Sequence, residues 1–252
     1  MKEKCQSIRG FFHKNSRKLI PLLLLAAILL PIVVDNSYVL GICIKILLYM
    51  LLASSVNVIN GYSGQFAIGH AGFLCVGAYT AAILMARANV PFFLAMLGAG
   101  VMTALFGMLV SFPIGKLSGI YLGFVTLGFS EIVRIICLNW TSVTGGPMGI
   151  KAIPGPKIFG LSLQSSRGYY YIIFAVLVIM VFCTSRILKS RTGRAWISIR
   201  ENGAAAASIG INTTQYKTMN IMYATFWEGC AGAFMATYYP VSYTHLTLPT
   251  IA

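Results

Sequence analysis

Charge is scarce in this chain, and negative charge scarcest. Asp and Glu number 5 against 19 Lys and Arg in 252 residues, and charged residues make up only 10%. A soluble globular chain carries roughly 25%, so an ordinary water-exposed surface is excluded. Histidine is limited to His13, His70 and His245, too scattered for a metal site. The cysteines Cys5, Cys43, Cys75, Cys137, Cys183 and Cys230 form no CxxC or Cys/His ligand spacing, and they read as small apolar fillers. No GxxxxGK[ST] phosphate loop occurs, so the chain is not expected to hydrolyse ATP by itself. GxSxG, HExxH and EF-hand patterns are missing too, and no acid–base constellation suggests an enzyme. No metal and no cofactor are expected.

What is abundant is apolar length. Hydrophobic residues make up 58% of the chain, and mean hydropathy is +0.80. The expectation is an all-α polytopic membrane protein of about seven spans, near 19–34, 39–59, 61–85, 91–112, 119–138, 169–185 and 219–239. Residues 1–18 form a basic segment, and 19–239 form one transmembrane domain with a long polar loop at 186–217. No small-x-small cleavage pattern follows Leu30, so 19–34 reads as a retained span rather than a signal peptide. Residues 240–252 depart in composition from the rest and are set apart as a foreign-looking tail on a truncated chain.

The net charge of +14 would suit nucleic acid, but its distribution argues otherwise. Segments 1–18, 113–118 and 186–217 hold thirteen basic residues, and the alternate loops hold four. That asymmetry places the N-terminus in the cytoplasm by the positive-inside rule. No nucleic-acid partner is expected. Lys45 and Arg134 lie within spans, and Lys45 is expected to snorkel to the interface. The loop 139–168 is rich in turn formers, and Tyr169–Tyr171 read as an interfacial aromatic belt.

The segment 57–82, NVINGYSGQFAIGHAGFLCVGAYTAA, organises the chain. Five glycines sit in a membrane-length run, each costing roughly 1 kcal/mol against alanine in a helix interior. One reading is a tightly packed helix, with Ser63, Ala67 and Ala71 forming a small face at four-residue spacing and Gly77 and Ala81 another. The other is a helix break lining a translocation path, because polar groups at membrane depth must face protein or water. The candidate pathway residues are Asn60, Ser63, Gly64, Gln65, Gly69, His70 and Gly72. His70 reads as a packed, hydrogen-bonded residue or a proton shuttle. Glu131 and Arg134, three apart on one helical face, read as a buried ion pair that fixes packing, or as a gating or substrate-contacting pair.

Within 186–217, the stretch RTGRAWISIRENGAAAASIGIN reads as a helix ending near Gly203, or a longer one to Gly210. Trp196 and Ile199 beside Arg200 and Glu201 suit a docking helix, an apolar anchor with charges at its rim. An amphipathic helix lying on anionic lipid is the alternative.

Three stretches resemble, in order, the permease subunits of branched-chain amino acid ABC importers: GYSGQFAIGHAGFLCVGAYTAA, GIYLGFVTLGFSEIVRIICLNWTSVTGGPMGI and GRAWISIRENGAAAASIGIN. The resemblance runs from about residue 52 to about 239. It implies a subunit that moves branched-chain or similar small amino acids across a bacterial inner membrane. It also implies a second permease subunit, two ATP-binding cassette ATPase subunits, a periplasmic or extracellular substrate-binding protein, and contact with membrane lipid. ATP hydrolysis would lie on the partners. The ATPase-coupling residues it implies are Arg194, Trp196, Arg200, Glu201, Ala205, Ala206 and Gly210. Of these, Ala205, Ala206 and Gly210 fit the family's AAxxxG core, whereas Gly203 and Ala204 stand where many members carry an acid. A permease for urea or short amides on the same scaffold, or a gradient-driven carrier or channel, are the alternatives.

Overall fold

The computed structural model describes residues 27–31, 36–114, 120–150, 153, 155, 157–158, 161–162 and 165–238. All of the expected 1–18 segment and of the 240–252 tail, and most of the 19–34 span, lie outside these residues; of the first span, 27–31 are helical. Among the described residues the fold is all-α apart from one short hairpin. Helix α1 (Ser37–Asn57) starts at Asn36, whose side-chain oxygen accepts from the Tyr38 N–H at 2.9 Å. It runs into a π-helical segment, Val58–Tyr62, where regular structure stops. Helix α2 (His70–Ala86), α3 (Phe92–Ile114) and α4 (Ile120–Asn139) follow. A single turn, α5 (Thr141–Thr144), and a two-stranded antiparallel hairpin, Lys157–Ile158 with Leu161–Ser162, lie before α6 (Ser166–Leu188). Helices α7 (Arg191–Glu201) and α8 (Gly203–Ser208) make up the polar loop, and α9 (Thr213–Tyr238) closes the described chain.

Backbone polar groups have no water to bond in a bilayer, which favours helix wherever the chain is apolar. Among the described residues, four helical stretches are long and apolar enough to cross: Ser37–Tyr62, Phe92–Ser111, Tyr121–Asn139 and Ser166–Leu188. Their outer faces carry exposed apolar side chains such as Leu109, Tyr121 and Phe124, as lipid contact requires. Helix α2 is apolar but shorter. Helix α9 is long but polar over its first turn, and it packs in the middle against α1, α2 and α3.

Small residues allow that packing. A Cβ on Gly77 would lie 2.5 Å from the Gly229 Cα, and one on Gly232 would lie 2.6 Å from the Ala78 nitrogen. The α2 and α9 backbones therefore touch directly. The Gly77 and Ala81 face expected from the sequence lies in this contact, with Ala81 fully buried. The Ser63, Ala67 and Ala71 face does not form, because residues 63–69 are not helical and no helical period relates the three. Cys75 and Cys137 are free thiols packed in one small apolar cluster, their sulfurs 3.6 Å apart.

Candidate functional site: a broken helix between α1 and α2

Seven residues, 63–69, cross from the π segment to α2 without regular hydrogen bonding. Such a stretch packed among helices needs partners for its backbone, and the protein supplies them. Asn60 clamps it from one end: its side-chain amide donates to the Ala67 carbonyl at 3.3 Å, and its oxygen accepts from the Ala67 N–H at 3.2 Å. The Gln65 N–H reaches back to the Ile59 carbonyl at 3.2 Å. Gly64 turns the chain with φ +66°, a conformation that favours glycine.

Two neighbouring helices complete the set. From α4, the Thr126 hydroxyl accepts from the Ile68 and Gly69 N–H groups at 3.1 and 3.3 Å. The Ser130 hydroxyl donates to the Gly69 carbonyl at 2.8 Å and accepts from the Gly72 N–H at 3.0 Å. Gly72 has no room for a side chain, since a Cβ there would lie 2.7 Å from the Ser130 Cα. From α9, the Asn220 amide donates to the Val58 carbonyl at 3.1 Å. Its oxygen sits 3.0 Å from the Ser63 hydroxyl and 3.4 Å from the Gln65 amide, which also donates to Ser63 at 2.7 Å. Ser63, Gln65 and Asn220 are all buried.

Two turns along α9 lies Glu228, fully buried. One carboxylate oxygen lies 2.7 Å from His70 Nδ1 and accepts from the Ser55 hydroxyl at 2.9 Å. The other has no hydrogen-bond partner among the described residues. His70 Nε2 lies 3.2 Å from the Ala67 carbonyl, an obligate acceptor. That contact is a hydrogen bond when Nε2 carries the proton, and the tautomer sets which of Nδ1 and Glu228 donates in the other.

The structure thus gathers Asn60, Ser63, Gly64, Gln65, Gly69, His70 and Gly72 along one break. Sequence reasoning missed four of their partners: Thr126, Ser130, Asn220 and the Glu228 contact with His70. Glu228 left a signal as one of the few acids inside an apolar run.

Glu131 and Arg134 do contact each other, Oε2 to Nε at 2.6 Å, but they lie apart from this break. The expected burial is not what the structure shows. The Glu131 and Arg134 side chains are 53% and 41% exposed.

The polar loop is two helices broken at Asn202, whose side chain caps α8 by accepting from Ala204 and Ala205 N–H groups. The expected apolar anchor turns inward. Trp196 is 1% exposed, packs with Val58, Ile59, Ala67 and Ala224, and donates its indole N–H to the Tyr216 carbonyl at 3.0 Å. Ile199 and Ala206 are also buried. The amphipathic face of α7 is satisfied by its own chain, which removes Trp196 and Ile199 from any outward docking surface. Arg194, Glu201, Ala205 and Gly210 remain exposed, and Gly210 ends the segment at φ +87°. Arg200 reaches from α7 to the Gly61 carbonyl at 2.9 Å.

Comparison with known proteins matches residues 38–251 to the family described as branched-chain amino acid transport system, permease component. The match runs on through residues 240–251 of the segment set apart above. The chain is 35% identical over 237 residues to the high-affinity branched-chain amino acid transport system permease protein LivM of Salmonella typhimurium, covering 85% of this chain and 56% of that protein. It is 34% identical to the Escherichia coli LivM over 253 residues, covering 91% and 59%. A probable branched-chain amino acid transport permease protein LivM of Methanocaldococcus jannaschii is 25% identical, covering 69% and 60%. The chain therefore spans somewhat over half the length of these relatives. No solved structure matches it.

Proposed function

The chain belongs to the family of branched-chain amino acid transport permease components, and from that premise we propose that it is a membrane-spanning subunit of an ATP-driven importer. The substrate is a branched-chain or similar small amino acid, and the membrane is the inner membrane of a bacterium. A second permease subunit, two ATPase subunits and an external binding protein complete the assembly, with ATP hydrolysed on the ATPase subunits. The observation that carries the reading, beside the family match, is the broken helix at 63–69. It concentrates polar side chains and non-helical backbone between two apolar helices, the kind of interruption at which transport proteins build substrate paths. The path opens to alternate sides as helices shift about the break, and no covalent bond is made or broken.

The test is reconstitution of the full-length protein with its partners in liposomes. Uptake of leucine, isoleucine and valine that needs ATP and the binding protein supports the reading. Uptake of urea or short amides instead moves the substrate to the alternative class. A gradient-driven carrier is the second reading, favoured by the buried His70–Glu228 pair. Uptake that persists without ATP and collapses with a protonophore decides for it.

A further inference from the structure

The break is contacted from a third side, by the polar loop, and the contact is specific. Arg200 lies in the last turn of α7, its stem flat against Gly64: a Cβ at Gly64 would lie 2.6 Å from Arg200 Cγ, 3.3 Å from its Cβ and 3.4 Å from its Cα. The loop backbone can approach this closely only because Gly64 lacks a side chain and takes φ +66°. The guanidinium then divides its donors. One nitrogen bonds the Gly61 carbonyl in the π segment at 2.9 Å, and another bonds Glu201 Oε1 at 2.6 Å. Glu201 is 68% exposed, on the side of α7 away from the bundle. Trp196, one turn earlier, wedges against Val58, Ile59 and Ala67, so α7 rests on both ends of the break at once.

We propose that Arg200 is a positioning residue that carries a signal from the exposed face of α7 into the helix break. The inference rests on the functional reading above, since it needs an ATPase partner at that face. A cation of the partner that pairs with Glu201 competes for the carboxylate. Arg200 is then held by the Gly61 carbonyl alone, and any rigid shift of α7 is delivered to residues 61–64 through that bond and the stem lying over Gly64. The break is where the chain yields, because its backbone is not locked in a helical ladder. Arg200 touches no substrate in this scheme. It acts by setting where the break sits.

The experiment uses the complete reconstituted complex, in a cysteine-free background with one cysteine at Phe66, an exposed position within the break. The rate of labelling by a water-soluble maleimide is measured with and without ATP and vanadate, together with substrate moved per ATP hydrolysed. With Arg200 intact, the labelling rate changes with nucleotide. In Arg200→Ala that change is lost and substrate moved per ATP falls about tenfold, within the usual range of a coupling free energy, while the thermal midpoint of the complex stays at that of the parent. Arg200→Lys keeps a stem over Gly64 and a donor for Gly61, and recovers part of the response. Gly64→Ala pushes the Arg200 side chain off from the other side and gives the same loss, which keeps the test open should Arg200→Ala assemble poorly. A nucleotide-dependent change retained in Arg200→Ala and in Gly64→Ala overturns the inference alone. A parent complex with no nucleotide-dependent change overturns the functional reading and the inference with it.

Discussion

Replacing Glu228 tests whether the buried pair holds the break to α9. Its Oε1 is shared by His70 and Ser55, at 2.7 and 2.9 Å, in a fully buried site. Glu228→Ala removes the acceptor for both and leaves a cavity beside His70. Removing one side of a buried, hydrogen-bonded acid–base pair costs about 3–5 kcal/mol. Glu228→Gln keeps the volume and an oxygen for the Ser55 hydroxyl, but it offers His70 neither an acid proton nor a negative charge, so only the Ser55 contact survives in full. Losing one buried hydrogen bond costs about 1 kcal/mol. The two variants should therefore differ by about 2–4 kcal/mol in unfolding free energy, by the same reckoning. The assay is reversible unfolding of the full-length protein in mixed micelles, followed by far-UV circular dichroism. A double-mutant cycle with His70→Ala isolates the pair, and a coupling of at least about 1 kcal/mol is expected for groups in direct contact. Equal losses for Glu228→Ala and Glu228→Gln, or a coupling near zero, would refute the reasoning. Glu228 would then be a tolerated burial rather than a fastening.

Three further outcomes are expected. Single cysteines at Lys157 and Arg194, in a background free of native cysteines, should react with impermeant reagents from opposite sides of the membrane, and same-side reaction would overturn the expected topology. Gly72→Leu should block transport while the protein still inserts, since its side chain has to displace the Ser130 backbone at 2.7 Å; transport at the parent rate would mean the α2–α4 contact is slack. Glu201→Lys in the complete complex should lose substrate-stimulated ATP hydrolysis while the binding protein still docks outside, and stimulation at the parent level would remove Glu201 from the coupling surface.

The most apolar spans were legible in the sequence because lipid allows few alternatives. The expected 91–112 and 119–138 differ from Phe92–Ile114 and Ile120–Asn139 by one or two residues at each end. The break was legible as a composition, glycines mixed with polar groups, but its geometry was not. Helical spacing put Ser63 with Ala67, a relation that holds only if the helix continues. The partners were hidden for another reason. A hydroxyl in an apolar helix ordinarily bonds its own preceding turn, and Thr126 does so with the Leu122 carbonyl at 3.1 Å while also serving the break. Nothing in one sequence separates that second use from the first. For α7 the amphipathic period was correct. Periodicity says that one face is apolar but not what covers it, and the chain's own break covers Trp196.

The polar residues of α9 acquire a common purpose from this arrangement. Asn220, Ala224 and Glu228 recur every four residues, so they share one face of the helix. Eight residues along a helix span roughly 12 Å. Asn220 binds the carbonyl of Val58 and the side chains of Ser63 and Gln65, Ala224 packs with Val58, Ile59 and Ala67, and Glu228 binds Ser55 and His70. Each contact falls on the end of α1, on the break itself or on the first residue of α2. An apolar α9 would pack as well against α3, but it would leave the Val58 carbonyl and the Ser63, Gln65 and His70 side chains without these partners, at a cost of about 1–3 kcal/mol each. The break and the polarity of α9 therefore require each other. That dependence explains why the most buried long helix is not among the stretches apolar enough to cross a membrane unaided. It also follows that a substitution which straightens 63–69 into helix should weaken α9 packing even where no atom of α9 is changed, because Asn220 and Glu228 would be left buried without the groups they now bind.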